Sequence, residues 1–328
     1  MTTADLPVLK IDGLQVHFPI RRGVLLARTT GYVKAVDGVS LSISPSETLG
    51  LVGESGSGKT TVGRAIIRLV KPTGGTVEFD GRDVSSLGSA GLRQFRRRIG
   101  VVFQDPYGSL NPRMTAARII GEPLVAHGLF QDKAARRKRV IELLEIVGLN
   151  ASMAGRYPHE FSGGQRQRVG IARAIAADPD LIILDEPVSA LDVSIQAQII
   201  NLLEELQARL KIAYLFIAHD LSVVRHVSDR VAVMYLGKLM EIADRDVIYE
   251  ASKHPYTQAL LSAVPVPDPD IERQRTRTVL GGDIPSPSKP PSGCVFRTRC
   301  PMADAECASV VPPLREIAPG HQLACIKV

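Results

Sequence analysis

The stretch GESGSGKTT, residues 53–61, is the part of this 328-residue chain whose residue types point most directly to a chemistry. It follows the apolar run TLGLV and leads into TTVGRAIIRLV, so we expect a strand before it and a helix after it. Glycines at such a turn let backbone N–H groups curl around an anion, and the helix N-terminus adds its positive dipole end. The pattern G-x-x-x-x-G-K-[ST] therefore predicts a phosphate-binding loop made by Gly53, Glu54, Ser55, Gly56, Ser57, Gly58, Lys59, Thr60 and Thr61.

Two further residue types in and after this loop indicate a nucleotide with Mg²⁺. Lys59 is expected to reach the β- and γ-phosphates, and the hydroxyl of Thr60 to ligate the cation. Downstream, DLIILDEP (180–187) is an apolar strand pattern that ends in two acids. Asp185 is placed to hold the hydration shell of Mg²⁺, and Glu186 to polarise an attacking water. Because two adjacent buried carboxylates are costly without a cation, the pair predicts a hydrolytic metal site.

A second anion-binding pattern lies between these motifs, in FSGGQRQR (161–168). Ser162, Gly163 and Gly164 precede a helical pattern of small and apolar residues, which makes another helix N-terminus suited to phosphate. One nucleotide does not need two such cradles far apart in one chain. The economical interpretation is that the second cradle serves a nucleotide held by another subunit, which implies a dimer.

With these motifs in this order and spacing, the chain resembles the nucleotide-binding subunits of ABC transporters over roughly residues 8–250. The resemblance makes GESGSGKT the Walker A loop, LIILDE the Walker B strand and FSGGQ the signature, with Phe161 where leucine is usual. It adds the Q-loop glutamine Gln104 in VVFQDP and the switch histidine His219 in FIAHD. It also completes the signature with Gln165 and gives a D-loop, SALD, with Ser189 and Asp192.

The resemblance assigns roles to these residues. Glu186, His219 and Gln104 form the expected catalytic set, and Mg²⁺ is expected on Thr60, Gln104 and Asp185. His219 follows the strand pattern IAYLFIA (212–218), at the strand end where ligands lie in parallel sheets, and is expected to contact the γ-phosphate. An aromatic side chain stacks on adenine in this family. Phe18, at the expected end of the first strand, VLKIDGLQVHF, is preferred over Tyr32, which follows an inserted loop.

The expected fold is α/β: a P-loop NTPase core of the ABC ATPase type with an antiparallel β subdomain, an inserted helical subdomain and a C-terminal extension. The ATPase domain is predicted over residues 1–250, and its helical subdomain over about 105–165, where DKAARRKRVIELLEIVGL has amphipathic spacing. The segment PTGGTVEFDGRDV resembles a hairpin. The extension covers residues 251–328 and includes a proline-rich segment, 265–293, that disfavours helix and sheet.

The only four cysteines of the chain lie in its last part with the spacing C-x5-C-x6-C-x17-C, namely Cys294, Cys300, Cys307 and Cys325. Disulfides are disfavoured in a reducing cytoplasm, and zinc sites usually have closer pairs. Iron–sulfur clusters tolerate varied spacing and need four thiolates, so a [4Fe–4S] cluster is predicted, with zinc as the alternative. Replacing one cysteine is expected to loosen this tail and to leave ATP binding intact.

The C-terminal pattern points to one group within the ABC transporter ATPases that the chain resembles. HPYTQALLSAVP (254–265) with the cysteine segment resembles the extension of oligopeptide and dipeptide importer ATPases, and other motifs resemble the F-type member of their two paired ATPases. The resemblance implies a second ATPase subunit, two membrane permeases and an extracytoplasmic peptide-binding protein. Because members of this group also import nickel chelates and glutathione, the solute stays open between peptide and these compounds.

Composition and the length of apolar runs limit the class of protein, its partners and its location. Hydrophobic residues make up 45% and charged residues 23% of the chain, as in ordinary globular proteins, and the net charge is +6. The basic excess is the one feature that favours a soluble ABC ATPase acting on DNA or ribosomes; the chain has one cassette and no heptad run, so no nucleic-acid partner is expected. An exporter is the nearer alternative. No stretch reaches the length of a membrane-spanning helix, so the chain is expected in the cytoplasm, and the resemblance implies a peripheral location on the cytoplasmic face of the membrane.

Overall fold

The computed structural model describes residues 6–22, 28–265, 273, 278 and 280–328, without the side chains of residues 106 and 107. The chain forms two compact units, each collected from separate stretches. The first unit holds Met1–Lys10, Ser42–Thr48 and Val77–Ile217. The second unit holds Ile11–Leu41, Leu49–Thr76 and Ala218–Val328.

Strands occur throughout the described part of the chain. They are β1 Leu9–Arg22, β2 Arg28–Ile43, β3 Thr48–Val52, β4 Gly74–Phe79, β5 Arg82–Asp83, β6 Ile99–Val102, β7 Leu181–Asp185, β8 Ala213–Ala218, β9 Arg230–Tyr235, β10 Lys238–Asp244, β11 Arg315–Ala318 and β12 His321–Leu323.

Helices separate most of these strands. They are α1 Lys59–Ile66, α2 Ser89–Arg97, α3 Pro106–Ser109, α4 Ala116–Ala126, α5 Lys133–Ile146, α6 Gly163–Ile175, α7 Val193–Leu210, α8 Leu221–Val227, α9 Arg245–Ala251, α10 Pro255–Ser262 and α11 Glu306–Ser309. Short 3-10 turns lie at Val84–Ser86, Ala151–Gly155 and Pro158–Glu160.

The second unit is built on a run of neighbouring strands in the order β11-β12-β10-β9-β3. Strands β3 and β9 are parallel, with Leu49 opposite Arg230 and Val52 opposite Val233. Strands β9, β10, β12 and β11 pair antiparallel. Every residue of β3 is buried, which fits its uninterrupted apolar sequence. The phosphate loop begins directly after Val52, so this sheet fixes where the loop starts.

The first unit contains three parallel strands in the order β6-β7-β8. Strand β7 is buried along its whole length, and Leu184 lies opposite Val102 of β6 and Phe216 of β8. The helical part of this unit packs α4 against α5 and α6. Because parallel strands end at one edge of a sheet, the residues that follow β6 and β7 are brought to the same edge.

The element predictions are largely confirmed. TLGLV, IGVVF, DLIILDEP and IAYLFIA contain β3, β6, β7 and β8, and β4 and β5 form the predicted hairpin with Glu78 opposite Asp83. Residues 280–293 have no helix or strand, as the prolines predicted, whereas Arg273 in the same proline-rich segment is helical, contrary to that prediction. The carbonyl of Pro287 accepts a hydrogen bond from the Lys34 N–H at 3.1 Å. Residues 266–272, 274–277 and 279 of the proline-rich segment, and residues 23–27 of the inserted loop, lie outside the described part.

Two boundaries were predicted wrongly. The helix after the phosphate loop was expected over residues 60–70, but α1 ends at Ile66, and Arg68 has a φ of 53°, which cannot continue a helix. Phe18 was expected at the end of the first strand, but β1 continues to Arg22. The neighbouring strand β2 accompanies it past Phe18, and the Thr30 hydroxyl donates a hydrogen bond to the carbonyl of Ile20.

Candidate nucleotide site

The glycines of the phosphate loop have two different local surroundings. Gly53 and Gly58 lie at φ 152° and 106°, and a Cβ on either would lie 2.1 Å from a backbone carbonyl oxygen, that of Met234 or Ala35 respectively. Gly56 also has a positive φ, 78°, but a Cβ there would meet nothing within 4 Å. The end glycines are therefore required by the close approach of neighbouring backbone, in addition to any role in phosphate binding.

The side chain of Lys59 is buried and folds back over its own loop. Its ammonium donates hydrogen bonds to the carbonyl oxygens of Gly53 at 2.7 Å and Glu54 at 3.0 Å. The loop thus fixes one positive charge among its backbone groups. Thr60 follows in the first turn of α1, and Gly58 is the N-cap of that helix.

Glu54 has contacts that sequence reasoning missed. Both carboxylate oxygens accept hydrogen bonds from the guanidinium of Arg299, at 2.6 and 3.0 Å, and its backbone N–H donates to the hydroxyl of Tyr256 at 3.0 Å. The hydrogen bonds to Glu54 raise the pKa of Arg299 above its ordinary value, so the guanidinium stays charged. A local sequence pattern does not predict an ion pair between two residues that are 245 positions apart.

In the first unit, the structure brings Gln104 and Glu186 together. Gln104 follows β6, Glu186 follows β7, and the Gln104 amide donates a hydrogen bond to the Glu186 carboxylate at 2.8 Å. Glu186 has a φ of 48°, and its backbone N–H donates to the carbonyl of Ile217 at 2.9 Å. Asp185 is the buried last residue of β7. The strand end therefore presents two carboxylates, one buried and one held by an amide.

The signature residues form the N-terminus of α6. Ser162 is the N-cap: its hydroxyl accepts from the N–H of Gln165 at 3.3 Å, and the side chain of Gln165 accepts from the N–H of Ser162 at 3.0 Å. A Cβ on Gly164 would lie 2.6 Å from the side chain of Ile195, whereas one on Gly163 would meet only Leu191, at 3.3 Å. Gly164 is therefore required by the packing of α6 on α7.

Phe161, where the family usually has leucine, is buried, so its side chain packs inside the first unit. In the D-loop, the Ser189 hydroxyl donates to the carbonyl of Glu186 at 3.1 Å, and Asp192 is the N-cap of α7. His219, in the second unit, is exposed and directly follows β8.

The two aromatic candidates for adenine stacking both lie in the second unit. Phe18 is 41% exposed and Tyr32 is 53% exposed. Exposure of this extent leaves a ring face available on either side chain, so burial does not choose between them.

A groove of about 650 Å³ lies on the helical part of the first unit, between α4 and α5. Its lining is mainly apolar and includes Val125 and Val140. Around these lie several basic side chains and the carboxylate of Glu122; the basic ones are Arg118, Lys133, Arg136 and Arg137.

The four cysteines line one small cavity of about 20 Å³ in the second unit: Cys294, Cys300, Cys307 and Cys325. Burial raises the pKa of the Cys294 and Cys300 thiols, and the neighbouring cysteines raise it further. All four are free thiols. Nevertheless, in the described ranges no group of three or more His, Cys, Asp or Glu side chains is arranged to hold a metal ion. Four thiols are suitable donors for a metal, but neither predicted form of the site, the [4Fe–4S] cluster or zinc, gains support from the geometry.

Among the residues that the structure describes, no helix is both long and apolar enough to cross a membrane.

Comparison with known proteins places these motifs in a wider group. Residues 36–189 match the family described as "ABC transporter", and residues 240–307 match the family described as "Oligopeptide/dipeptide transporter, C-terminal region". The oligopeptide transport ATP-binding protein AppF of Bacillus subtilis is 57% identical over 319 residues, covering 97% of this chain and 96% of its own. The corresponding protein OppF of Salmonella typhimurium is 52% identical over 322 residues, covering 98% and 96%.

Among solved structures, the chain is similar to the dimeric ATP-binding cassette MJ0796 in a post-hydrolysis state with ADP and Pi. The TM-score is 0.63 at 31% sequence identity, and the match covers 72% of this chain and 98% of the other.

Proposed function

Because the chain belongs to the ABC transporter ATP-binding proteins, in the branch that carries the oligopeptide/dipeptide transporter C-terminal region, we propose that it hydrolyses ATP to drive the import of peptides. The observation that carries this proposal is identity above 50% over nearly the whole length of two oligopeptide transport ATP-binding proteins. The similarity includes the C-terminal region, which an exporter or a soluble ABC ATPase has no need to carry.

Within this function, the phosphate loop binds the phosphates of ATP through its backbone N–H groups and Lys59. Thr60, Gln104 and Asp185 are the proposed ligands of Mg²⁺, since a buried carboxylate at the end of an apolar strand fits a hard cation. Mg²⁺ held by these residues would supply positive charge to stabilise the negative charge that develops on the transferred phosphate. Phe18 is the proposed adenine-stacking residue, with Tyr32 as the alternative, since both rings are exposed.

Glu186 is the proposed general base. Its carboxylate accepts a hydrogen bond from the Gln104 amide at the end of β7, which orients the carboxylate that would take a proton from water. His219 is the proposed contact to the γ-phosphate, because it follows a parallel strand at the end where ligands bind. Ser189 and Asp192 form the proposed D-loop after Glu186.

The signature, Ser162 to Gln165, is proposed to act on the nucleotide of a second ATPase subunit. Its helix N-terminus supports this role, because the positive dipole end of α6 favours an anion. Dimeric arrangement of the similar cassette MJ0796 is consistent with it. The wider assembly proposed is a heterodimer of ATPases on the cytoplasmic face of the membrane, with two permeases and an extracytoplasmic peptide-binding protein.

The groove between α4 and α5 is the proposed docking surface for a permease. Its apolar floor suits one face of a short amphipathic helix, and its four basic side chains against one carboxylate select an acidic segment. Docking there connects the permease to the unit that holds Gln104 and Glu186.

For the four cysteines, the proposal is a metal–thiolate site that orders the C-terminal segment, with [4Fe–4S] as the predicted form and zinc as the alternative. The support is that all four line one cavity and that a reducing compartment leaves metal as the available cross-link.

Uptake tests this function in cells that lack the chain and are supplied with variants of it. The wild-type chain should restore uptake of a labelled tripeptide. Glu186→Gln should abolish uptake and lower ATP hydrolysis by the assembled complex about 100-fold or more, while ATP binding is kept, because the amide keeps the shape but cannot act as a base. Arg136→Glu with Arg137→Glu should instead spare ATP binding and stop uptake by loss of docking.

Each contrary result points to a different part of the proposal. Restored uptake of a nickel chelate or of glutathione, without tripeptide uptake, would show that the imported solute is that compound and not a peptide. Near-normal hydrolysis by the Glu186→Gln complex removes Glu186 from its role. Full uptake with both arginines reversed removes the groove as the docking surface.

A further inference from the structure

Glu54 places a carboxylate inside a loop that is built to attract anions. Every other feature of the loop favours negative charge from outside: backbone N–H groups, a helix N-terminus and the Lys59 ammonium. An unpaired carboxylate at the same place repels the phosphates of a nucleotide, and the repulsion is strong because water is partly excluded. The Glu54 side chain is only 23% exposed.

The charge of Glu54 is compensated from the C-terminal extension. Arg299 forms a two-pronged ion pair with the carboxylate, and its side chain is 8% exposed. This fork geometry is the strong form of an arginine–carboxylate contact and fixes direction as well as charge. The guanidinium also makes a cation–π contact, since its Cζ atom lies over the ring of Tyr235 at 5.8 Å from the ring centre.

The backbone of the same loop residue is held by the extension as well. The hydroxyl of Tyr256, in α10, accepts the hydrogen bond from the Glu54 N–H. Tyr256 is fully buried, and its ring packs 4.8 Å from that of Tyr235 and 5.2 Å from that of Phe296. Phe296 and Arg299 belong to one short turn, in which the Arg299 N–H donates to the Phe296 carbonyl at 3.0 Å.

We propose that Arg299 is a positioning residue of the phosphate loop, which neutralises and orients Glu54 so that the loop accepts the phosphates of ATP. This inference rests on the proposed function in ATP binding and adds a site of control to it. The turn that carries Arg299 is bounded by Cys294 and Cys300, so the ordering of the cysteine segment sets the position of the guanidinium. The contacts argue against the expectation that changes in the tail leave ATP binding intact.

The test compares binding of Mg·ATP and of adenosine to the purified full chain by isothermal titration calorimetry. Arg299→Gln should raise the dissociation constant for ATP about tenfold, since a charged hydrogen-bonded pair is lost beside the phosphates. Adenosine affinity should stay unchanged, which a general loss of structure does not predict. The matched control is Arg297→Gln in the same turn, whose side chain contacts Ser292 and not the loop.

Substitution of Glu54 tests whether the loss of ATP affinity in Arg299→Gln comes from charge or from a change of structure. Glu54→Gln with Arg299→Gln should bind ATP several-fold more tightly than Arg299→Gln alone, because no uncompensated negative charge remains. Glu54→Gln alone should bind ATP at least as tightly as the wild type, and it decides the matter if Arg299→Gln does not fold.

Three results overturn the inference: wild-type affinity in Arg299→Gln, a double variant as weak as Arg299→Gln, or weaker binding in Glu54→Gln alone. A wild-type chain that binds no ATP instead overturns the proposed function itself, so the two failures are distinguishable.

Discussion

At the residue scale, glycines of the phosphate loop are constrained by the neighbouring backbone, in addition to any ligand. Gly53 and Gly58 lie at positive φ against carbonyl oxygens of Met234 and Ala35, whereas Gly56 lies at positive φ with open space beside it. The motif therefore contains glycines of two kinds, although the sequence pattern treats them alike. One kind allows strands to approach the loop, and the other leaves the loop surface bare.

Alanine at these positions should separate the two kinds. Gly58→Ala should lower the free energy of unfolding by at least about 3 kcal/mol, because the methyl group collides with the Ala35 carbonyl and the backbone is strained. Gly56→Ala should cost only about 1 kcal/mol, from the positive φ alone. Urea unfolding of both variants measures the difference. Equal losses would show that the Ala35 contact is absent in solution.

At the scale of elements, the N-terminus of α6 is fixed both by capping and by packing against α7. The reciprocal bonds between Ser162 and Gln165 satisfy two N–H groups that the helix cannot satisfy itself. Gly164 fits α6 against Ile195 of α7, so a substitution there disturbs packing before it disturbs any ligand. Ser162 is therefore the better position for testing action on a partner's nucleotide.

Two substitutions of Ser162 should separate the effect of N-capping on stability from the effect of charge on ATP hydrolysis. Ser162→Asp keeps an N-cap acceptor, so stability should change little, but its negative charge opposes phosphate and should lower hydrolysis by the assembled complex at least about tenfold. Ser162→Ala should cost about 1 kcal/mol of stability with a smaller effect on hydrolysis. Both are measured by urea unfolding and by phosphate release. ATP binding by the isolated chain should stay unchanged, and its loss in Ser162→Asp would place the signature and its nucleotide in one subunit.

The sequence predicted elements whose signals are local. Strands β3, β7 and β8 are uninterrupted apolar runs, and the residues that end them, such as Asp185, follow from the run itself. The end of β1 was missed because its pairing with β2, and not its own composition, carries it past Phe18. The pair of Glu54 and Arg299 was missed for a related reason: a surface arginine and a buried, paired arginine look the same in a sequence.

At the scale of the whole molecule, the phosphate loop and the C-terminal extension lie in the same compact unit. Cys294 and Cys307 are joined by a backbone hydrogen bond of 2.9 Å, and a Cβ on Gly293 would lie 2.4 Å from the Cys307 carbonyl oxygen. Strand β12 adds a further link, since Leu323 lies opposite Glu241 of β10. The cysteine segment is thus tied to the second unit at several points by groups other than metal.

Metal analysis of anaerobically purified chain should find a stoichiometric metal that depends on all four cysteines. About four iron and four sulfide per chain identify the cluster, and one zinc identifies the alternative. Cys325→Ser should lose the metal and lower the thermal stability, yet keep the fold, because the backbone contacts of the segment remain. Four reactive thiols and no metal in the wild-type chain would contradict both forms of the site.

The pairing of Glu54 with Arg299 also has a consequence for biosynthesis. The two residues are separated by 245 positions, so a ribosome working at roughly 5–20 residues per second makes the arginine about 12–50 s after the glutamate. Throughout that interval the nascent chain carries its phosphate loop with an uncompensated carboxylate. Under the proposal that Arg299 positions the phosphate loop, the order of synthesis delays tight nucleotide binding until Arg299 has been made.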